Sequence, residues 1–240
     1  MGDEWYEDSV PSSRIIHRAS LVTRHSSPIT PHASLVLAST SPRRRELLAR
    51  LGLPFSVVPM DVPESPLPGE SPAQTAERLA VAKARAGAAT LPDHPGVLVV
   101  GADTVVVYRG QPLGKPATPD EARAMLRRLR GKTHRVISGV AVVDAQTGQA
   151  VTRTATTRVH LRPLTDDEID RYVATGDPLD KAGAYAIQNQ AFHVVEWIKG
   201  CYSNVVGLPL CVLAEELAEF GVSVPFPVRR SRKDCGCGNL

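Results

Sequence analysis

The sequence predicts an α/β protein built on a mixed, twisted sheet flanked by helices, and three observations carry the prediction. Apolar runs of strand length recur along the chain, capped helix starts stand between them, and one polar turn joins two of the runs into a hairpin. Strands that alternate with helices tend to become parallel neighbours, whereas a hairpin adds an antiparallel pair, so the expected sheet is mixed.

Strands are expected at 35–38, 55–58, 97–108, 136–143, 154–161 and 192–198, with the hairpin turn at 144–148. The first helix opens at Ser41-Pro42, with a hydroxyl at the N-cap and proline at the first helical position. Ser71-Pro72-Ala73-Gln74, Thr118-Pro119-Asp120-Glu121 and Thr165-Asp166-Asp167-Glu168 each fit a capping box, in which the N-cap and the third helical residue satisfy each other's amides. The helices opened by Ser41, Thr118 and Thr165 run out at Gly52, Gly131 and Gly176, and a fifth helix near 209–220 ends at Gly221. Glycine suits the left-handed residue that closes a helix. Residues 1–33 are polar and aperiodic and read as a disordered extension, 34–222 as the folded domain, and 223–240 as a flexible basic tail.

Of 240 residues, 42% are hydrophobic and 22% charged, enough for one sizeable core or two joined lobes. The net charge is +3, but Arg229, Arg230, Arg232 and Lys233 lie in the tail; without those four the balance is −1. The body therefore has no surplus of positive charge to hold a nucleic acid backbone, and none is expected as a partner. No apolar run reaches the roughly 18–20 residues of a membrane span. The N-terminus carries Asp3, Glu4, Glu7 and Asp8, unlike a secretory or transit leader, so a cytoplasmic location is expected. Cys201 and Cys211 read as buried thiols, and Cys235 and Cys237 as a pair too short of ligands for a metal site.

Four segments carry candidate chemistry. Ser39-Thr40-Ser41-Pro42-Arg43-Arg44 opens a helix directly after a strand, where unpaired amides, hydroxyls and guanidinium groups suit phosphate; alone, it reads as well as a plain cap before a solvated basic face. Asp103 interrupts the apolar run Val99 to Val107, a position where a carboxylate is costly unless paired or on a metal; it is either functional or answers a buried lysine. The adjacent Gly101 and Ala102 leave room for something to approach the backbone. Lys115 sits in a loop stiffened by Gly114 and Pro116, while Lys83 on a helix and Glu64 in a Pro-rich loop carry no special signal alone. The stretch from Asp177 to Gln188 has the composition of a ligand-binding loop, though Asp180 and Lys181 also read as a surface ion pair. No phosphate-binding glycine loop, dinucleotide GxGxxG, GxSxG elbow or zinc-spaced His pair occurs. Anion-binding groups with a few carboxylates suit metal-assisted attack of water on a phosphoanhydride.

In order along the chain, Ser39 to Arg44, Glu64, Lys83, Gly101-Ala102-Asp103-Thr104 and Gly114-Lys115-Pro116 resemble the Maf family of nucleoside triphosphate pyrophosphatases. So do Gly131-Lys132-Thr133-His134-Arg135-Val136, Asp180 to Gln188, and Val205 to Leu210; the match spans residues 34–221. The resemblance implies an elongated two-lobed fold related to the inosine triphosphate pyrophosphatases, a central cleft and a homodimer. It implies a divalent cation (Mg2+ or Mn2+) on Glu64 and Asp103, with Asp103 also accepting the proton of the attacking water. Ser39, Ser41, Arg43, Arg44, Lys83 and Lys115 would bind phosphates, and Arg43, Thr104 and Gln188 would choose the base. The Gln188 segment is similar to the branch that prefers dTTP and UTP, departing from it at Asn189, where glycine is usual. The competing expectations are a pyrophosphatase with purine or modified-base preference, and a non-enzymatic nucleotide-sensing or nucleic-acid-binding regulator of cell division.

Overall fold

The computed structural model describes residues 34–91 and 95–224. The expected extension at 1–33, the cysteine pair Cys235 and Cys237, and the basic cluster at 229–233 lie outside them. In chain order the strands are β1 (Ser34–Ala38), β2 (Phe55–Val58), β3 (Val97–Tyr108), β4 (Gln111–Leu113), β5 (Thr133–Asp144), β6 (Ala150–Leu161) and β7 (Val195–Lys199). The helices are α1 (Pro42–Ala49), α2 (Pro72–Ala89), α3 (Pro119–Leu129), α4 (Asp166–Ala174), α5 (Tyr202–Val206) and α6 (Leu210–Glu219), with two single 3-10 turns at Asp177–Asp180 and Ala182–Ala184. The sheet order is β2-β1-β3-β5-β6-β7, parallel among the first three and antiparallel beyond, with β4 paired to β3. It is the mixed sheet that the alternation and the hairpin predict.

The caps form largely as read. Ser41 Oγ accepts the amide of Arg44, and Ser71 and Thr165 complete capping boxes with Gln74 and Glu168. Thr118 is the exception: it accepts the amide of Glu121, but the Glu121 carboxylate turns to the amide of Ala117, one residue earlier. The last strand also starts later than expected. Asn189 Oδ1 accepts the amides of Ala191 and Phe192, which ties that stretch into a turn and delays pairing until Val195. Cys201 and Cys211 pack half-buried, rather than buried, against the larger core.

Two large apolar cores lie along the sheet, beside two small clusters around Ala80 and Val36. The larger joins Leu37, Leu47, Leu48, Val100, Ala102, Val140, Val142 and the α6 leucines; the other joins Val106, Tyr108, Val136, Leu126, Leu129, Val159, Ile169 and Tyr172. Strands β3 and β5 run through both, paired residue for residue from Leu98↔Asp144 to Val107↔Arg135. Helix α2 lies against the sheet with a face of Ala76, Ala80, Ala84 and Gly87. Opposite stand Gly101 and Gly139: a Cβ on either would fall 2.2–2.3 Å from the carbonyl oxygens of Ala80 and Ala76. The room expected beside Asp103 is thus occupied by the backbone of a helix.

Candidate active site

β1 pairs with β3 only as far as Leu37↔Val100, and β4 joins the same edge at Val106↔Leu113. Among the described residues, 101–105 have no strand on that side, and a cleft of about 350 Å³ opens there. Successive strand residues point to opposite faces of a sheet. At an unpaired edge both faces reach the same opening, so Asp103 and Thr104 contribute two different sets of partners.

Asp103 lies on the α2 face, across from Gly139, where β5 offers no side chain. Lys83 reaches it from α2: Nζ donates to Asp103 Oδ1 at 2.7 Å and to Glu64 Oε1 at 2.6 Å. Lys83 and Asp103 are buried, while Glu64 is mostly exposed on its loop. The bond from Lys83 holds the Glu64 carboxyl below its ordinary range, against the opposing effect of its partial burial. Asp103 therefore does answer a buried lysine, as one of the two sequence readings has it, and it does so at the floor of the cleft.

Thr104 serves the other face. Its Oγ1 lies 2.8 Å from Ser138 Oγ, accepts from Arg44 at 3.4 Å, and approaches the Gly207 carbonyl at 3.3 Å. Arg44 Nε donates to that carbonyl at 3.0 Å. Burial lowers the Arg44 guanidinium below its ordinary range, against the opposing pull of the Asp103 and Glu64 carboxylates. Arg43, one residue earlier, meets Asp180 at 3.5 Å across the cleft.

The far wall is the segment from Asp177 to Gln188. Lys181 is largely buried and bonds Asp177 at 2.9 Å and Asp180 at 2.6 Å, so this is more than the surface pair read from sequence. Tyr172 donates to Asp177 Oδ2 at 2.7 Å and accepts the amide of Ala186, and Tyr185 meets His134 Nε2 at 2.7 Å. Asn189 does not crowd Gln188: its amide donates to Asp177 at 3.0 Å, and it is not among the residues lining the cleft.

All ten sequence candidates line this single cleft: Ser39, Ser41, Arg43, Arg44, Glu64, Lys83, Asp103, Thr104, Lys115 and Gln188. Sequence reasoning missed Ser138 and Asn204, and Gly207 entered it only within the segment Val205 to Leu210. Ser138 had a readable signal, a hydroxyl within an apolar strand, the same kind of interruption that marks Asp103. Asn204, which bonds Val136 O and Thr157 Oγ1, sits in a five-residue helix with no cap or period to announce it. The cleft is lined by five cationic side chains (Arg43, Arg44, Lys83, Lys115, Lys181) and three anionic ones (Glu64, Asp103, Asp180), leaving a surplus of two positive charges. Such a surface draws in a polyanion of a few charges.

Among the described residues no three His, Cys, Asp or Glu side chains gather as a metal cluster. Glu64 and Asp103 nevertheless converge on one cationic point, now held by the Lys83 ammonium. Two carboxylates completed by water and substrate phosphates suit Mg2+ or Mn2+, so these residues fit such an ion. No described helix is long and apolar enough to cross a membrane.

The model of the family described as Maf-like protein matches residues 34–220. A protein of Moorella thermoacetica named dTTP/UTP pyrophosphatase is 56% identical over 192 residues, covering 80% of this chain and 97% of its own. One of the same name from Geobacter sulfurreducens is 52% identical over 187 residues, covering 78% and 96%. Among solved structures, the Ham1 protein of Staphylococcus aureus overlaps 67% of this chain and 90% of its own, with a TM-score of 0.40 and 15% identity. That overlap is too loose to align the two sites.

Proposed function

The chain belongs to the Maf-like protein family, and from that premise we propose that it is a nucleoside triphosphate pyrophosphatase, cutting (d)NTPs to (d)NMP and diphosphate and favouring dTTP and UTP. Removing non-standard nucleotides is a role that fits the same chemistry. The observation that carries the reading is the floor of the cleft, a buried carboxylate held by an ammonium group inside a ring of phosphate-binding side chains.

In this reading Ser39, Ser41, Arg43, Arg44, Lys83 and Lys115 hold the triphosphate, whose roughly four negative charges match the cationic lining. Asp103 orients a water and accepts its proton as the water oxygen bonds to the α-phosphorus. The bond from that phosphorus to the bridging oxygen then breaks, and diphosphate leaves with the electron pair. Positioning and charge neutralisation supply most of the acceleration. Glu64 and Asp103 would hold the divalent cation, which supplies charge neutralisation at the phosphates when bound. Gln188 has a donor and an acceptor to meet the N3–H and carbonyl edge of uracil or thymine. A site built for that edge rejects bases that leave its polar groups unpaired. The activity is assigned to residues 34–222, the working form to a homodimer, and the location to the cytoplasm, where nucleoside triphosphates are made and spent.

The test is a panel of the eight common NTPs and dNTPs with Mg2+ or Mn2+, with both products identified. Monophosphate and diphosphate are expected, fastest from UTP and dTTP and abolished by chelator. Diphosphate nucleotide plus orthophosphate, or full turnover in chelator, would sink the reading.

A further inference from the structure

Lys83 stands where a cation would have to stand. Its Nζ lies 2.6 Å from Glu64 Oε1 and 2.7 Å from Asp103 Oδ1, and its side chain is 8% exposed. A magnesium ion on the same two oxygens needs contacts of about 2.0–2.1 Å. Bridging those two oxygens from the side that Lys83 occupies, it would overlap the ammonium, so the two cations cannot share that position. Withdrawing Lys83 with its whole helix would open the close packing of α2 on Gly101 and Gly139. What can move is the four-carbon stem, swinging the ammonium from the acids into the cleft.

That swing needs a new anionic partner, since a buried charge stripped of its partner is strongly unfavourable. The cleft has none to spare: Asp180 is already bonded to Lys181 and Arg43. Its lining carries two surplus positive charges, so a bare divalent cation is repelled from it. A triphosphate reverses both conditions, giving the ammonium new oxygens and supplying about four negative charges, enough to offset the lining and a divalent cation together.

We propose that Lys83 is the resident counter-ion of the Glu64–Asp103 pair and keeps divalent metal out of the free enzyme, so that the metal enters together with the triphosphate that draws Lys83 away. The proposal rests on the pyrophosphatase reading for the identity of that anion. Metal occupancy is then controlled by substrate.

The test is a titration of the full chain with Mn2+, reading unbound ion from the electron paramagnetic resonance of its hydrated form. Without nucleotide, Lys83→Met and Lys83→Gln are expected to bind Mn2+ at least about tenfold more tightly than the unchanged protein. Adding Asp103→Asn to either should remove the gain, locating the ion at the acid pair. The unchanged protein should gain at least about tenfold when dUTP with a methylene bridge between its α- and β-phosphorus is present, beyond what that analogue binds alone. Tight Mn2+ binding by the unchanged protein alone, equal to that of both variants, overturns the proposal, as does a gain that survives Asp103→Asn. The two replacements guard against one failing to fold, which melting curves reveal. The nucleotide-free arm reads the acid pair itself, so it stands apart from any failure to release diphosphate.

Discussion

The two walls of the cleft are built by different means. The near wall, from Ser39 to Arg44 with the Lys83–Asp103 floor beneath it, is placed by backbone: a strand end, a capped helix start, and a helix lying against glycines. The far wall, from Asp177 to Gln188, has only single 3-10 turns and is stitched by side chains, with Tyr172, Lys181 and Asn189 all bonded to Asp177 and with Tyr185 held by His134. In the proposed reading the near wall would hold mainly the phosphates, and the far wall, through Gln188, would meet the base. A fixed frame suits phosphates.

The largest expected effect breaks the near wall alone. Asp103→Asn keeps the shape but removes the charge, and turnover should fall roughly 10²- to 10⁴-fold, the range for losing a general base. The loss should be the same for UTP and ATP, because the floor does not see the base. A loss confined to one base in steady-state rates would erase the division between the walls.

Acid should loosen the far wall first. Burial pushes His134 down to about 4 from an ordinary 6.5. Between those values the unfolded chain binds the proton that the folded one refuses, so stability rises with pH across that window. His134 makes its full contribution above about 6.5 and loses about 3 kcal/mol of it as pH falls toward 4. Thermal melts from pH 7 to pH 4.5 should show this slope, and His134→Gln should flatten it. An unchanged slope in that variant would assign the acid sensitivity to the carboxylates.

Gln188→Ala sharpens the comparison from the other side. It should narrow the preference for UTP over ATP by about tenfold while leaving turnover of the poorer substrate nearly unchanged. Equal losses on both would place Gln188 in the phosphate machinery. The smallest effect belongs to the near-wall cap: Ser41→Ala removes the acceptor for the Arg44 amide and should cost about 1 kcal/mol in denaturant unfolding. A near-zero cost would mean that Ser39 and the strand end hold this helix start without it.

The same division decides what could be read from sequence. Near-wall features obey local rules. Proline after a capping hydroxyl, glycine at a helix end and an acid in an apolar run are visible within a few residues, and β1, α1 and β3 lie where those signals put them. Lys83 was visible only as a lysine on a helix, because its burial depends on Gly101 and Gly139, which are remote in sequence. Far-wall features rest on side-chain contacts that no local backbone rule predicts. Nothing near Asp177 announces that Tyr172, Lys181 and Asn189 will converge on it, and Asn204 is positioned by Val136 and Thr157 from two other strands. The resemblance named Gln188 where local rules did not.

The contact between α2 and the glycines also sets the tolerance of the site. A charged hydrogen bond of 2.7 Å keeps its strength only within roughly a few tenths of an ångström. Most helices reach a sheet through side chains, whose rotamers add slack to every distance beyond them. Here the spacing is fixed by main-chain atoms meeting main-chain atoms, and repacking the surrounding core cannot readjust it. The main-chain spacing between Lys83 and Asp103 is thereby insulated from the ordinary drift of core residues, and the two glycines act as the gauge that sets it.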